Sequence, residues 1–502
     1  MNAKDAVERS ERAFPGWAAL SVARRKVFLR ALQRRIAARQ EELAAAVAAD
    51  TGKPVTEVLF QEITAALEMI RFVAAVYPRW LKDRPIPYRR PGFWSKVHRR
   101  RYEPLGVLGI IGPANDPFSL PVMQAAAALI CGNCVVIKPS ERAPRTAGRL
   151  KSLFEEAAFP PGVVEVAEGD ERTAEAVIVH PGVRKIIFTG STETGRKVAR
   201  LCGRSFKPCV LELGGVGAAV VDDDADLGLA AQAVAWSAFY STGASCLGTK
   251  RVFVTRRVGR AFLDGLLQEI RVLSRGDPFD PEADIGQSSD PKTDERLRAL
   301  VRDAMARGAR AWAPEGELSR EEVSQVRGPL VISQTTPEMA VLGDDEELRG
   351  LVLCVREVDS AEQAIREANA SSYGLSASVW SRNRKKAEAI AGELQVGMVW
   401  INEVGLGLPP FPWGGTKNSG WGRLFAKESL SELTTIKVIS RDRRRSAAPK
   451  FWWFPYSRAK YELTLAVNAL AYGAGKTSAF LRLLKNIRHG RAAFSGGKKR
   501  GR

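Results

Sequence analysis

The chain has 502 residues, 45% hydrophobic and 26% charged, which is length enough for two or three domains and excludes a disordered chain. Its net charge of +20 is uneven: residues 441–502 carry 16 basic side chains against two acidic ones, a surplus of +14 that leaves +6 for the first 440 residues. No apolar run is long enough to span a membrane, no leader pattern follows the first charges, and six cysteines and three scattered histidines (His98, His180, His489) suit neither a disulfide framework nor a histidine metal site, so a cytoplasmic, reducing setting is expected.

In chain order, Leu20, Val27, Leu29, Leu32 and Ile36 recur at helical spacing and predict a helix over 19–50. Thr51-Gly52-Lys53-Pro54 ends it, and a second helix runs to about Trp80. Residues 83–104 are basic, proline-rich and aromatic, and read as an exposed arm with short strands. The period then changes. The apolar runs GVLGII (106–111), CVVIK (134–138), VVEV (163–166), KIIFT (185–189) and CVLEL (209–213) alternate with stretches suited to helices at 119–130, 142–157, 171–178 and 193–203. Continuous apolar strands between helices predict a parallel, doubly wound α/β sheet, a common seat for nucleotides. A second α/β series follows: helix 225–240, strand 251–254, helix 258–272, strand 351–355, helix 360–369, strand 376–380, helix 383–393 and strand 397–401. The Gly/Pro-rich segment 405–422 (GLGLPPFPWGGTKNSGWG) reads as an ordered functional loop.

Four short segments have chemical content. Cys246 follows small residues in YSTGASCLG (240–248), at the end of a helix and before a strand, where a loop thiol can meet an electrophile; taken alone, an inert structural cysteine is the commoner case. In Leu211-Glu212-Leu213-Gly214-Gly215 a carboxylate ends an apolar strand, placed for general-base chemistry or, more ordinarily, for pairing with an arginine. Lys138-Pro139-Ser140-Glu141 ends another strand with a pair able to hold ribose hydroxyls, or with a plain surface turn. Phe188-Thr189-Gly190-Ser191-Thr192-Glu193-Thr194-Gly195 leads a strand into a helix N-terminus that suits a pyrophosphate and equally suits an N-cap. The GxGxxG fingerprint is absent. Cys131-x-x-Cys134 has no second pair and reads as structural.

The ordered set of Asn115 in GPANDPFSLP, KPSE (138–141), FTGSTETG (188–195), LELGG (211–215), GASC (243–246), EELRG (346–350) and PFPWGGTKNSGWGR (410–423) resembles the aldehyde dehydrogenase superfamily over roughly residues 10–440. The resemblance implies a variant Rossmann NAD-binding domain, a second α/β catalytic domain and a small β oligomerisation arm. Its boundaries would be 1–214 for NAD binding with 83–104 protruding, 215–405 for catalysis, 406–441 for the return and an oligomerisation strand, and 442–502 for an extension. It also implies roles: Cys246 as nucleophile, Glu212 as base for the hydrolytic water, and Asn115 as oxyanion donor together with the Cys246 backbone N–H. Lys138 and Glu141 would hold the adenine ribose, Gly190 and Ser191 the pyrophosphate, and Glu347 the nicotinamide ribose. The expected activity is oxidation of a small-molecule aldehyde to the carboxylic acid through a Cys246 thioester. NAD is favoured over NADP because Glu141 would repel a 2′-phosphate. A homodimer or homotetramer is the family precedent.

The sequence departs from the family pattern at Ala114 and Asp116, which flank Asn115, at Arg349 and Leu351 in the E-E-I-F-G-P region, at Val216 after LELGG, and at Ala244 in the cysteine loop. Ala114 and Arg349 motivate a rival reading, a non-catalytic binding protein that keeps the fold; a coenzyme A-acylating enzyme is a third, against which Glu212 stands. Apolar residues beside the motifs (Phe118, Leu120, Met123, Phe239, Leu247, Phe411, Trp413) suggest long-chain or other apolar aldehydes. The tail combines Phe451-Trp452-Trp453-Phe454-Pro455-Tyr456 with an amphipathic stretch (Phe480, Leu483, Leu484, Ile487 against Arg482, Lys485, Arg488), which suits an anionic membrane surface. Packing on the body or on a neighbouring subunit suits it equally. No nucleic-acid module is visible.

Overall fold

The computed structural model describes residues 2–88, 96–288, 291–343, 348–405, 407, 409–442 and 453–473. They fall into two compact units: Met1–Arg84 with Arg100–Lys437, and Pro85–Arg99 with Val438–Arg502.

In the first unit, one sheet has the order Gly420–Trp421, Cys209–Glu212, Val183–Thr189, Val107–Ile111, Cys134–Lys138, Val164–Val166. Its neighbours run parallel except Gly420–Trp421. Val107–Ile111 and Cys134–Lys138 are buried at every position, so they show no alternation in sequence. The chain steps outward on one side of Val107–Ile111 and then, from Val183, on the other. The switch point therefore lies between the strands that end in Ile111 and Thr189, where a crevice at strand carboxyl ends is expected. Asn115 follows the first of these ends and Gly190 the second.

A larger sheet has the order Gly316–Leu318, Arg310–Ala313, Leu330–Ser333, Val352–Val358, Thr249–Thr255, Gly217–Val221, Ser376–Trp380, Met398–Ile401. Its last six strands are mutually parallel. The expected α/β fold is the one adopted. The first hydrophobic core spans Ala3 to Leu213 and takes in Leu424–Leu433; three others lie within residues 218–404.

The long helix expected over 19–50 is two helices, Val22–Ala38 and Gln40–Thr51, broken at Arg39 (φ −117°, ψ 20°). The guanidinium of Arg39 turns aside to Glu42 and Glu156 there. A helix Ala3–Ala19 precedes them. Its buried face is Ala3, Ala6, Val7, Ser10 and Trp17, too small a set of large apolar side chains to mark the period. The helix expected up to Trp80 contains a π-helical turn, Leu59–Thr64.

The strands Arg84–Ile86, Lys96–Pro104 and Thr434–Asp442 form a three-stranded sheet; of the short strands expected in the arm Arg84–Ile86 is one, whereas Lys96–Pro104 runs to nine residues. The second unit holds the helix Arg458–Tyr472, capped by Ser457 through its bond from Lys460 N. Trp453, Phe454 and Tyr456 are exposed. The amphipathic stretch 480–488 lies outside the described residues, as do Phe451 and Trp452. Among the described residues no helix is long and apolar enough to cross a membrane.

Candidate active site

The loop that carries Cys246 is strained and heavily anchored. The helix Leu227–Phe239 gives way to a tight turn in which Ser241 (φ 59°) and Thr242 (φ 50°) adopt left-handed backbone, a conformation that costs on the order of 1–3 kcal/mol per non-glycine residue. Gly243 completes the turn (φ 75°), and a Cβ there would lie 2.3 Å from the carbonyl of Gly350. Lys250, 1% exposed, holds this arrangement by donating to Ala238 O (3.2 Å), Gly243 O (2.9 Å) and Gly350 O (2.9 Å). Ser245 Oγ bonds Tyr240 OH and accepts from Leu247 N at 3.2 Å. Replacing Lys250 by methionine removes a buried donor from three carbonyls, of which Gly243 O still accepts from Gly350 N (2.9 Å), and is expected to lower stability by about 2 kcal/mol, read as a reduced denaturant midpoint. An unchanged midpoint would show that the loop does not depend on this pin.

Glu212 ends the strand Cys209–Glu212 and pairs with Thr189 on one side and Gly420 on the other. It is buried, and among the described residues neither of its carboxyl oxygens has a hydrogen-bond partner. Burial raises its pKa well above the ordinary carboxylate range; Arg423 opposes that rise and Glu432 adds to it. The glycines after it admit the cysteine loop: a Cβ on Gly215 would stand 2.9 Å from Cys246 O and 2.9 Å from Leu375 Cβ. Within the Gly/Pro-rich segment, Thr416–Lys417 and Gly420–Trp421 form short strands. Ser419 Oγ donates to Gly214 O (2.7 Å) and accepts from Gly374 N (3.0 Å), and Ser419 O accepts from Leu213 N (3.1 Å).

These elements meet around one pocket with an empty volume of about 430 Å³. Asn115, Gly190, Glu212 and Cys246 all line it, from four separate chain segments, with Arg349 among them. Cys246 is half-buried, not sealed in the interior. Leu120, Leu213, Leu375, Trp413, Leu424 and Phe425 supply the apolar wall. Of the other residues expected to meet an apolar substrate, Phe118 and Phe239 belong to the cores, Met123 packs against one, Leu247 is buried, and Phe411 is exposed. The Asn115 amide nitrogen is engaged: it donates to Asp116 Oδ2 (2.9 Å) and to Ala244 O (3.2 Å).

The expected nucleotide contacts sit at the same sheet end. Lys138 closes the strand beside Ile111, and its Nζ donates to Glu141. Partial burial pushes the Glu141 carboxyl up, but the Lys138 hydrogen bond, a backbone N–H and the charges of Lys138 and Arg142 together outweigh this and hold it below its usual range. Gly190 stands between the end of Val183–Thr189 and the helix Thr192–Arg204, which Ser191 caps by accepting from Thr194 N at 3.2 Å. A carboxylate one strand away and a helix N-terminus at the switch point lie at the same end of the sheet, the end at which open α/β sheets take ligands. Glu347 lies outside the described residues.

Lys250, Gln124 (whose Nε2 donates to Thr189 Oγ1 at 3.1 Å) and Arg423 escape sequence reasoning, because each acts through a partner distant in the chain.

The Aldehyde dehydrogenase family model matches residues 1–439. Betaine aldehyde dehydrogenase of Rhizobium johnstonii is 34% identical over 439 residues, covering 86% of this chain and 88% of that one. Human retinaldehyde dehydrogenase 3 is 35% identical over 440 residues, covering 87% and 84%. The NAD+ complex structure of an aldehyde dehydrogenase from Bacillus cereus superposes with a TM-score of 0.80 at 32% identity, covering 88% of this chain and 90% of that one.

Proposed function

Because the chain belongs to the aldehyde dehydrogenase family, an NAD(P)-dependent oxidoreductase family, we propose that it oxidises an apolar aldehyde to the free carboxylic acid with NAD. The observation that carries this reading is the single pocket in which Cys246 and Glu212 face one space with Asn115.

Cys246 Sγ attacks the aldehyde carbonyl and forms a thiohemiacetal. The Asn115 amide and the Cys246 backbone N–H receive the developing alkoxide, and one such donor is worth about 10²–10³ in rate. NAD, when bound, supplies the hydride acceptor. Lys138 and Glu141 hold its adenine ribose, and Gly190 with Ser191 seats its pyrophosphate. Glu212 then takes a proton from the water that attacks the Cys246 thioester, and the acid leaves. Its oxygens make no bond to the described protein, so both are available to that water.

The low pKa of Glu141 favours NAD, since an ionised carboxylate repels a 2′-phosphate. The six apolar residues that wall the pocket favour an apolar substrate. Two relatives take their names from betaine aldehyde and from retinaldehyde, so the family alone does not choose the side chain. The exposed rings of Trp453, Phe454 and Tyr456, with Arg458 and Lys460 close in sequence, support action at an anionic membrane surface.

The test is an aldehyde panel with NAD or NADP, with and without coenzyme A and anionic vesicles. The expected result is NAD reduction, free acid without coenzyme A, faster turnover of apolar aldehydes and stimulation by vesicles. An acyl-coenzyme A product would replace this reading with the acylating one, and a silent panel with no NAD affinity would replace it with a scaffold.

A further inference from the structure

We propose that Asp116 is a positioning residue that aims the Asn115 amide at the Cys246 loop. The proposal presupposes Asn115 as the oxyanion donor.

The Asn115 amide nitrogen has two N–H groups. One reaches Asp116 Oδ2 at 2.9 Å and the other Ala244 O at 3.2 Å. A carboxylate and a peptide carbonyl only accept, so the nitrogen end of the amide, not its oxygen, faces both. The bond to the charged acceptor is the shorter and the stronger. The bond to Ala244 is neutral and longer, and Ala244 stands two residues before Cys246. An alkoxide formed on the Cys246 sulfur can therefore take over the second N–H while Asp116 keeps the first.

Asp116 is itself held. Its Oδ1 accepts from Lys53 Nζ at 2.9 Å, and Lys53, 1% exposed, also donates to Glu62 Oε1 at 2.8 Å. The other Glu62 oxygen accepts from Phe118 N (3.1 Å) and Ser119 N (2.7 Å), at the start of the helix Ser119–Ile130. The π-helical turn Leu59–Thr64 brings Glu62 into this place. One buried chain of charged hydrogen bonds thus runs from a helix N-terminus to the amide. Burial works against the charge on Lys53, but Asp116, Glu62 and Glu57 outweigh it and keep the ammonium protonated. That charge offsets the carboxylate of Asp116, and the Glu62 carboxylate faces the positive end of a helix. Asn115 lines the Cys246 pocket and Asp116 does not, so Asp116 can act only through its neighbour.

The test is a double-mutant cycle with Asp116→Leu and Asn115→Ala, and Asp116→Asn as the conservative variant. Asp116→Leu is expected to lower kcat about 10- to 100-fold with the aldehyde KM within about threefold, as for loss of a group that orients a reacting one. Asp116→Asn keeps an acceptor oxygen and is expected to restore most of that loss. In the Asn115→Ala background Asp116→Leu should change kcat less than about twofold. Wild-type kcat in Asp116→Leu, or an equal loss in both backgrounds, would overturn the proposal. If Asp116→Leu does not fold, Asp116→Ala, which also removes the acceptor, carries the same cycle. An Asn115→Ala enzyme with wild-type turnover defeats the oxyanion reading itself, whereas a slow Asn115→Ala with a harmless Asp116→Leu defeats Asp116 alone.

Discussion

With Cys246 replaced by serine, aldehyde-dependent NAD reduction is expected to fall by at least about 10³-fold while NAD binding is retained, because the nucleophile is lost and the pocket is not. Serine fits the space of the thiol, so the left-handed turn at Ser241 and Thr242 and the bonds of Lys250 should persist. The hydroxyl is a far weaker nucleophile at neutral pH than a thiol, and the pocket has no described histidine to activate it. Labelling gives an independent readout. Cys131, Cys134, Cys202 and Cys354 are buried, whereas Cys246 and Cys209 are half-buried. A thiol reagent should therefore abolish wild-type turnover in step with modification of Cys246, and prior aldehyde should protect it. Wild-type turnover in the serine variant, or inactivation that follows Cys209 instead, would remove Cys246 from the chemistry.

What the sequence discloses here follows physical scale. Val107–Ile111 and Cys134–Lys138 announce themselves because a strand covered on both faces is apolar throughout. Gly217–Val221 is equally buried but is built from glycine, alanine and valine, and it is not among the strands expected. The stretch from 291 to 333 was equally quiet: the helix Pro291–Ala306 buries only Leu297, Arg298, Val301 and Ala304, and the strands after it are three or four residues long. At the site, Cys246, Glu212, Asn115 and Gly190 each end or follow a strand or helix, and the motifs that carry them place them around one pocket. What holds them is not local. Asp116 finds Lys53 63 residues back in the chain, and Lys250 finds Gly350 100 residues on. A single sequence registers such a residue as a charge or a departure, and only the fold supplies its partner.

Glu212→Gln is expected to separate the two halves of the reaction. The first half needs Cys246 and the oxyanion donors, so each active site should still yield about one NADH in a rapid burst. Steady turnover should then fall by about 10²–10⁴, the usual worth of a general base. A small thiol or hydroxylamine, which needs less help than water to attack a thioester, should partly restore it. The pH dependence has a defined sign. Burial raises the Glu212 pKa, so the carboxyl is favoured in its protonated form and must ionise to act. Deacylation in the wild type should accelerate as pH rises through that value, and the glutamine variant should lack this limb. Stability runs the other way. A carboxyl whose folded pKa lies above its unfolded one contributes fully below the unfolded pKa, and that contribution is lost as pH rises through the folded value, at about 1.4 kcal/mol for each pH unit of the window. Glutamine has no such loss, so the variant's melting temperature should match the wild type in acid and exceed it increasingly toward alkaline pH. A catalytic base that destabilises its own fold in the form it needs would then be visible in both measurements. Full steady-state turnover in the glutamine variant would assign the hydrolytic step to another group.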